Sequence, residues 1–234
     1  MSKPKKDTVV MSVGGSLIVP DQVDTKFLTN FKKVVEKETT EYGRHFIIIA
    51  GGGRTARKYQ DAARGVTKLT NEDLDWLGLH ATRLNGHLLR TIFRDLAHPA
   101  IITNPDDILD VPKDAPVVVA AGYRPGSSTD LRAIQIAERV DASAVINLSD
   151  TDYIYTDNPK TNPEAKKIED IVWSEFRKLI PEDWDPGLSS PFDPVAAKVA
   201  EASNIEVAQI NGQKLEALEN YLHEKDFVGT RIHN

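Results

Sequence analysis

The stretch FIIIAGGG at residues 46–53 decides the fold, because an apolar strand runs in it directly into three glycines. The stretches VVMSVGGS at residues 9–16 and VVVAAGYRPGSST at residues 117–129 repeat the arrangement. Glycine lacks a Cβ atom, so backbone N–H groups at such turns can close around an anion. Since parallel strands end at one edge of a sheet, three such turns predict one crevice suited to phosphate.

The composition is that of an acidic globular protein. The chain has 234 residues, 27% of them charged, and a net charge of −6 at pH 7, which suits one large α/β domain or two closely packed lobes. Because no basic stretch stands out, we expect no nucleic-acid partner. No apolar run approaches the roughly 20 residues of a membrane helix, and the N-terminus lacks a signal-peptide core, so we expect no membrane partner and a cytoplasmic enzyme.

Residue types that bind metals are sparse. The sequence contains no cysteine, which excludes disulfides and thiolate-held zinc or iron–sulfur sites. Its six histidines are scattered without the spacing of metal ligands. The sequence therefore predicts no metal site built from protein side chains.

Apolar strands and amphipathic helices alternate along the chain. The predicted strands are residues 9–13, 46–50, 100–103, 116–121, 144–148, 153–156 and 205–210, and the predicted helices are residues 25–37, 55–63, 71–85, 86–97, 130–140, 195–203 and 214–223. This alternation predicts an α/β fold with a mostly parallel sheet and helices on both faces. We expect two lobes, residues 8–145 and 146–234, a loose tail at residues 1–7 and a loop or lid at residues 181–194.

Three cations follow the second glycine turn. Arg54, Arg57 and Lys58 fall in the first turns of a predicted helix, where the helix dipole is already positive. This placement disfavours the helix unless an anion binds there, although cations that simply face solvent are the plainer explanation. Arg57 is a stronger candidate than Lys58 for binding phosphate, because a guanidinium can hold two phosphate oxygens at once.

The third glycine turn places hydroxyl side chains in front of a helix. Ser127, Ser128, Thr129 and Asp130 are all residue types that cap helix N-termini, and one cap is all that a helix needs. The surplus favours a binding loop over a plain cap. Asp75 and Lys198, read from the sequence alone, are ordinary exposed residues on helices.

Four motifs, taken together, resemble the amino acid kinase superfamily. They are Gly14-Gly15-Ser16, Gly51-Gly52-Gly53-x-x-x-Arg57-Lys58-Tyr59, Pro125-Gly126-x-x-Thr129-Asp130 and Ser149-x-x-Asp152-x-x-Tyr155-Thr156-x-x-Pro159. The resemblance covers nearly the whole chain and is strongest to archaeal-type uridylate (UMP) kinases. It implies a three-layer α/β/α sandwich with an N-terminal acceptor lobe and a C-terminal ATP lobe. It also implies transfer of the ATP γ-phosphoryl group to UMP with Mg²⁺, by a homohexamer built as a trimer of dimers.

The resemblance also assigns roles to residues of this chain. The phosphates of ATP would contact Gly14, Gly15, Ser16, Gly53 and Arg57, and its adenosine part Ser149, Tyr155 and Asn158. UMP would contact Gly52, Asp75, Tyr123, Arg124, Pro125, Gly126, Ser127, Ser128 and Thr129. The catalytic residues would be Arg57, Asp130, which organises the phosphate-binding groups, and Lys198, which contacts phosphate.

The sequence departs from the superfamily pattern at several of these places. Ser12 stands where many members carry a lysine, and Tyr153 stands where glycine is usual. Ser149 and Asn158 replace a usual threonine and aspartate. Two alternatives to a UMP kinase therefore stay open: a kinase of another small acceptor, such as an acyl-amino acid, a carbamate or a phosphate monoester, and a non-catalytic nucleotide- or oxyanion-binding storage or sensor protein.

Overall fold

A seven-stranded sheet forms the middle layer of the computed structural model, which describes residues 8–112, 115–159, 161–183 and 190–234. Its strands are β1 (Thr8–Val13), β2 (His45–Ala50), β3 (Val117–Ala120), β4 (Ala144–Ser149), β7 (Asp170–Val172), β8 (Glu206–Asn211) and β9 (Gly229–His233), in the order β3-β2-β1-β4-β8-β9-β7. Only β8 and β9 pair antiparallel. Strands β5 (Ile154–Tyr155) and β6 (Lys167–Ile168) form a separate antiparallel pair.

Helices cover both faces of this sheet. They are α1 (Gly15–Ile18), α2 (Thr25–Tyr42), α3 (Gly53–Arg64), α4 (Asn71–Ile92), α5 (Thr129–Arg139), α6 (Trp173–Phe176), α7 (Pro194–Ala202) and α8 (Leu215–Leu222), with a 3₁₀ helix at Pro105–Asp110. Alternate strand residues point to opposite faces, so the core divides into two clusters. Ile47 and Ile49 pack with α5 and α7 on one face, whereas Phe46 and Ile48 pack with α2 and α8 on the other. The predicted α/β fold with helices on both faces is confirmed.

Two element predictions were wrong in detail. Residues 71–97 were predicted as two helices, but α4 runs unbroken from Asn71 to Ile92. A Cβ on Gly86 would lie 3.4 Å from the Cβ of Ala121, so this glycine lets the helix approach the end of β3 closely rather than ending it. Residues 100–103 form no strand, and Ile102 makes a single isolated bridge to Ala120.

The sequence also led us to expect a lobe boundary, an N-terminal tail, a lid and no membrane-spanning helix. The expected lobe boundary at residue 145 falls inside β4 and stays a prediction. The tail at residues 1–7 lies outside the described residues, as do residues 184–189 of the expected lid. In the described part of the chain, no helix combines the length and apolar character needed to cross a membrane.

The register of the parallel strands fixes where the glycine turns begin. Val13 pairs with Ala50 on one side and with Leu148 on the other, and Ile49 pairs with Ala120. The strands β1, β2 and β3 therefore end at the same level of the sheet. Each runs directly, or after one further residue, into its glycine turn.

Candidate active site

The first two glycine turns touch backbone to backbone. A Cβ on Gly15 would lie 2.0 Å from the amide nitrogen of Gly53, and a Cβ on Gly53 would lie 2.1 Å from the carbonyl oxygen of Gly15. Gly53 also has a φ of +59°, which L side chains rarely adopt. Only glycine fits at either place, and the predicted convergence of these two turns is present in the structure.

The three cations after the second turn point in two directions. Arg57 donates from Nη2 to Ser16 Oγ at 3.2 Å, which ties it to the first glycine turn. Lys58 Nζ and Arg54 Nε instead approach Asp21 Oδ1, at 3.1 and 3.8 Å. Arg54 and Lys58 are thus partly exposed cations that approach a surface carboxylate, and of the three side chains only that of Arg57 bonds to a glycine turn.

A cavity of about 290 Å³ lies between α3, α4 and the third glycine turn. Seven of the residues assigned to UMP line it: Gly52, Asp75, Arg124, Pro125, Ser127, Ser128 and Thr129. Gly53 and Arg57 line it as well, so the second glycine turn forms part of its wall. Its other lining residues are Gly122, which begins the third glycine turn, and six that were not predicted from the sequence: Ala56, Gln60, Leu74, Gly78, Leu79 and Thr82.

Asp75 lines this cavity and contacts the third glycine turn. Its Oδ2 accepts the amide hydrogen of Gly126 at 2.7 Å, and Gly126 has a φ of +79°. Desolvation raises the pKa of the Asp75 carboxyl, and the Gly126 hydrogen bond opposes that rise. The carboxylate therefore holds the loop of the third turn, which the sequence alone did not indicate.

Polar side chains of α4 tie the second and third turns together. Thr82 Oγ1 accepts the amide hydrogen of Gly122 at 2.8 Å. Asn85 Nδ2 donates to the carbonyl oxygen of Gly51 at 2.8 Å. Arg83 donates to the carbonyl oxygens of Gly122 and Tyr123, both at 3.1 Å. Thr82 and Asn85 are polar residues on the buried face of α4. Polar residues among the apolar ones of a helix were the sequence signal that could have indicated hydrogen bonds to the glycine turns.

Asp130 joins the start of α5 to β1 and α7. Its carboxylate accepts hydrogen bonds from the hydroxyl of Ser12 and, at 3.2 Å, from the amide of Asp193. Asp193 itself caps α7 through the amide of Ala196 at 2.7 Å. Burial raises the pKa of Asp130 to about 7, the charge of Asp193 adds to the rise, and the two hydrogen bonds oppose it.

Lys198 lies apart from the cavity. Its Nζ donates to the carbonyl oxygen of Glu182 at 3.0 Å, and it lines a second cavity together with Arg177 and Glu201. The structure thus does not bring Lys198 to the glycine turns, and its contact with phosphate stays a prediction.

The residues assigned to adenosine follow β4. Ser149 Oγ accepts the amide hydrogen of Thr151 at 3.2 Å. Tyr155 packs edge-to-face on Tyr153 with ring centroids 6.5 Å apart, and Asn158 is exposed three residues beyond the end of β5. None of the three assigned residues lines the cavity of about 290 Å³. Their contact with ATP stays a prediction.

Comparison with known proteins supports the family resemblance over nearly the whole chain. The sequence profile of the Amino acid kinase family matches residues 7–211. The uridylate kinase of Methanospirillum hungatei is 33% identical over 226 residues, which cover 96% of this chain and 94% of the relative. That of Pyrobaculum neutrophilum is 30% identical and covers 96% and 98%. The crystal structure of uridylate kinase from Archaeoglobus fulgidus superposes with a TM-score of 0.80 at 27% identity, covering 96% and 99%.

Proposed function

Because the chain belongs to the amino acid kinase family, we propose that it transfers the γ-phosphoryl group of ATP to UMP, giving ADP and UDP. One observation carries the proposal: two glycine turns are in backbone contact, and the second of them lines a cavity whose other walls include a carboxylate and a loop rich in hydroxyl groups. Two phosphate-bearing molecules bound there would meet end to end. Relatives of nearly equal length that are uridylate kinases support UMP as the acceptor.

We assign the two substrates to the two sides of the interlocked turns. The phosphates of ATP would lie along Gly14, Gly15 and Ser16, which lie against Gly53 of the second turn. UMP would occupy the cavity of about 290 Å³, close to the lower end of small-molecule sites at about 300 Å³. Arg57 stands at the boundary, because it lines the cavity and also bonds Ser16.

Phosphoryl transfer between two phosphates requires little covalent chemistry from protein side chains. An oxygen of the UMP phosphate attacks the γ-phosphorus of ATP, and the bond from that phosphorus to the β-phosphate oxygen of the departing ADP breaks. Since a phosphate monoester has its second pKa at about 6, the attacking oxygen is largely ionised at neutral pH, and no base is required. Negative charge grows on the moving group, and the glycine amides and Arg57 would stabilise it.

Asp130 would act by holding its neighbours. Its carboxylate already accepts hydrogen bonds from Ser12 and from the amide of Asp193. It therefore fixes the end of β1, which precedes the first glycine turn, relative to the starts of α5 and α7. Lys198 completes the proposed catalytic set only if its side chain leaves the carbonyl of Glu182 when ATP binds.

Mg²⁺ would enter with ATP. Across residues 8–112, 115–159, 161–183 and 190–234, no group of three or more histidine, aspartate or glutamate side chains could hold a metal ion. Mg²⁺ is commonly held through one or two carboxylates and the phosphates of the substrate, so this fits a metal bound mainly by ATP. Its part in the chemistry would be to neutralise charge on the phosphate oxygens.

The proposal includes a cytoplasmic homohexamer, arranged as a trimer of dimers. An exposed apolar stripe on α3 and α4 supports a dimer contact: Tyr59 is 64% exposed, Trp76 42% and Leu84 62%. Trp76 and His80 stack along this stripe with ring centroids 5.9 Å apart. Leu79, on the same helix, is buried and lines the acceptor cavity.

An acceptor screen tests the function. ADP release would be measured with ATP and Mg²⁺ and one acceptor at a time: UMP, CMP, acetylglutamate, aspartate, carbamate or an isoprenoid phosphate. We expect turnover with UMP to exceed that with every other acceptor. Turnover with a different acceptor alone would keep the kinase and overturn the uridylate assignment. Protection against heat by ATP without any acceptor-dependent ADP release would instead support the non-catalytic alternative.

A further inference from the structure

Arg132, in the first turns of α5, is a buried cation whose side-chain hydrogen bonds go to uncharged partners. It is 3% exposed, and among the described residues no carboxylate forms an ion pair with it. Its Nη1 donates to Gln135 Oε1 and its Nη2 to Ser127 Oγ, both at 2.7 Å. Its Nε is buried and has no hydrogen-bond partner.

Such an arrangement is costly for the folded protein. A buried charge normally has an ionic partner, because removal from water destabilises the charged form strongly. Burial, together with the positive charges of Arg124 and Arg139, lowers the pKa of Arg132 to about 10, and the charge of Asp106, which pairs with Arg139, opposes that shift only in part. The ring of Tyr123, whose centroid lies 5.2 Å from the guanidinium, compensates only in part. A negative charge supplied from outside the chain would complete the site.

The cavity of about 290 Å³ lies next to this cation. Ser127 and Arg124 both line it. Since Ser127 Oγ accepts a hydrogen bond from Arg132, its own hydroxyl hydrogen is left to donate elsewhere. The guanidinium of Arg124 lies 5.7 Å from the centroid of the Tyr123 ring, the same ring that Arg132 contacts. Positive charge is thus concentrated behind and along one wall of the cavity.

We propose that Arg132 is a positioning residue that makes this cavity selective for acceptors carrying a phosphate dianion. It would do so by polarising Ser127, whose hydroxyl then donates to the acceptor phosphate, and by placing an unneutralised charge behind the loop. The proposal rests on the proposed function and deepens it, because it concerns how the acceptor is chosen.

The test compares UMP with uridine, which lacks the phosphate. Binding to the full-length wild-type chain and to Arg132→Gln would be measured by calorimetry for UMP and by ligand-observed NMR for uridine. We expect Arg132→Gln to weaken UMP binding at least tenfold, to leave uridine binding unchanged, and to raise KM for UMP while KM for ATP stays within twofold. Arg132→Lys should recover part of the UMP affinity, since it restores the charge without the planar fork.

The matched control is Arg139→Gln on the same helix. Arg139 pairs with Asp106 at 2.5 Å and donates to the carbonyl oxygen of Gln135, and it forms no hydrogen bond with the third-turn loop, all of which lies in the described part of the chain. This variant should keep its UMP affinity. Equal weakening of UMP and uridine binding in Arg132→Gln would show a merely structural role and overturn the proposal, as would unchanged binding of both.

A second variant covers the case in which Arg132→Gln does not fold. Ser127→Ala removes the polarised hydroxyl from the cavity wall, and it too should weaken UMP binding and spare uridine. Unchanged UMP binding by Ser127→Ala would overturn the proposal. If the wild-type chain binds UMP more tightly than uridine but releases no ADP with UMP, the proposed function fails while the inference about Arg132 stands.

Discussion

Arg57 is the side chain on which phosphoryl transfer should depend most. It alone among the three cations that begin α3 lines the cavity and bonds the first glycine turn. We expect Arg57→Ala to lower kcat by about 10²–10³, the usual effect of removing one preorganised donor that stabilises transition-state charge. Steady-state ADP release with saturating ATP and UMP measures it.

Arg54→Ala provides the control for this prediction. Arg54 is exposed and approaches Asp21 rather than the glycine turns, so its removal should change kcat less than about threefold, in keeping with the small value of an exposed ion pair. Equal losses in both variants would mean that Arg57 contributes only general positive charge.

Asp130 should make stability depend on pH. Its pKa is raised to about 7 in the folded chain and is about 4 when unfolded, so the folded state binds its proton more tightly. The free energy of unfolding should therefore fall as pH rises from about 4 to 7, by at most about 1.4 kcal/mol per pH unit from this group, and level off above. Urea unfolding of the wild type and of Asp130→Asn at several pH values measures this.

Asp130→Asn should flatten that fall, since an amide does not titrate. Asp95→Asn serves as the control because Asp95 is exposed on the turn after α4, and this variant should follow the wild-type curve. A wild-type slope that persists in Asp130→Asn would show that other groups cause it.

The contact between the first two glycine turns should tolerate no side chain. In Gly53→Ala the new Cβ would lie 2.1 Å from the carbonyl oxygen of Gly15, so one backbone must move. We expect a loss of more than about 3 kcal/mol, or no folding, because this exceeds the strain of an unusual φ alone. Urea unfolding followed by circular dichroism measures the loss.

Gly43→Ala separates backbone strain from the close approach. Gly43, which ends α2, has a φ of +68°, similar to that of Gly53, but a Cβ there would meet nothing within 4 Å. It should cost only about 1 kcal/mol. If the two variants lost the same stability, close contact of the turns would not be the reason for glycine at residue 53.

Local signals explain which elements the sequence predicted well. The apolar runs of β1, β2, β4 and β8 end in turn residues, and those of α2 and α5 repeat at helical spacing, so they were found within a few residues. The edge strand β7 has only three residues, none of them buried, and it was missed, as was its neighbour β9. Gly86 was misread as a helix boundary, because its role depends on Ala121, far along the chain.

The sequence predicted the glycine turns of the candidate site but not the side-chain contacts that hold them together. Glycine turns after strands are local signals, and they located the crevice. The bonds from α4 to Gly51 and Gly122, and the pairing of Lys58 with Asp21, each join residues more than thirty positions apart. Sequence spacing carries no information on such partners, so Asp75 looked like a solvent-exposed carboxylate until the fold placed it against Gly126.

Assembly should depend on the exposed apolar stripe of α4. If this stripe forms the proposed dimer contact, Leu84→Glu should place a charge inside the interface and dissociate the trimer of dimers, because an unpaired buried charge is costly. Light scattering should give a mass of six chains of 25.9 kDa for the wild type and a lower multiple for the variant. Leu109→Glu is the control, because Leu109 is 66% exposed on the 3₁₀ helix, and it should not change the mass. A wild type that is a monomer, or an unchanged mass for Leu84→Glu, would contradict this surface.

The most direct measurement follows phosphorus through one reaction mixture. Wild-type chain, ATP, Mg²⁺ and UMP would be observed by ³¹P NMR, with UMP omitted in a parallel sample. We predict that the UMP signal is replaced by the two signals of UDP, that ADP forms in equal amount, and that ATP stays intact when UMP is absent. A UMP signal that persists, whether ATP is hydrolysed or unchanged, would contradict the claim that the joined glycine turns place two phosphates end to end for transfer.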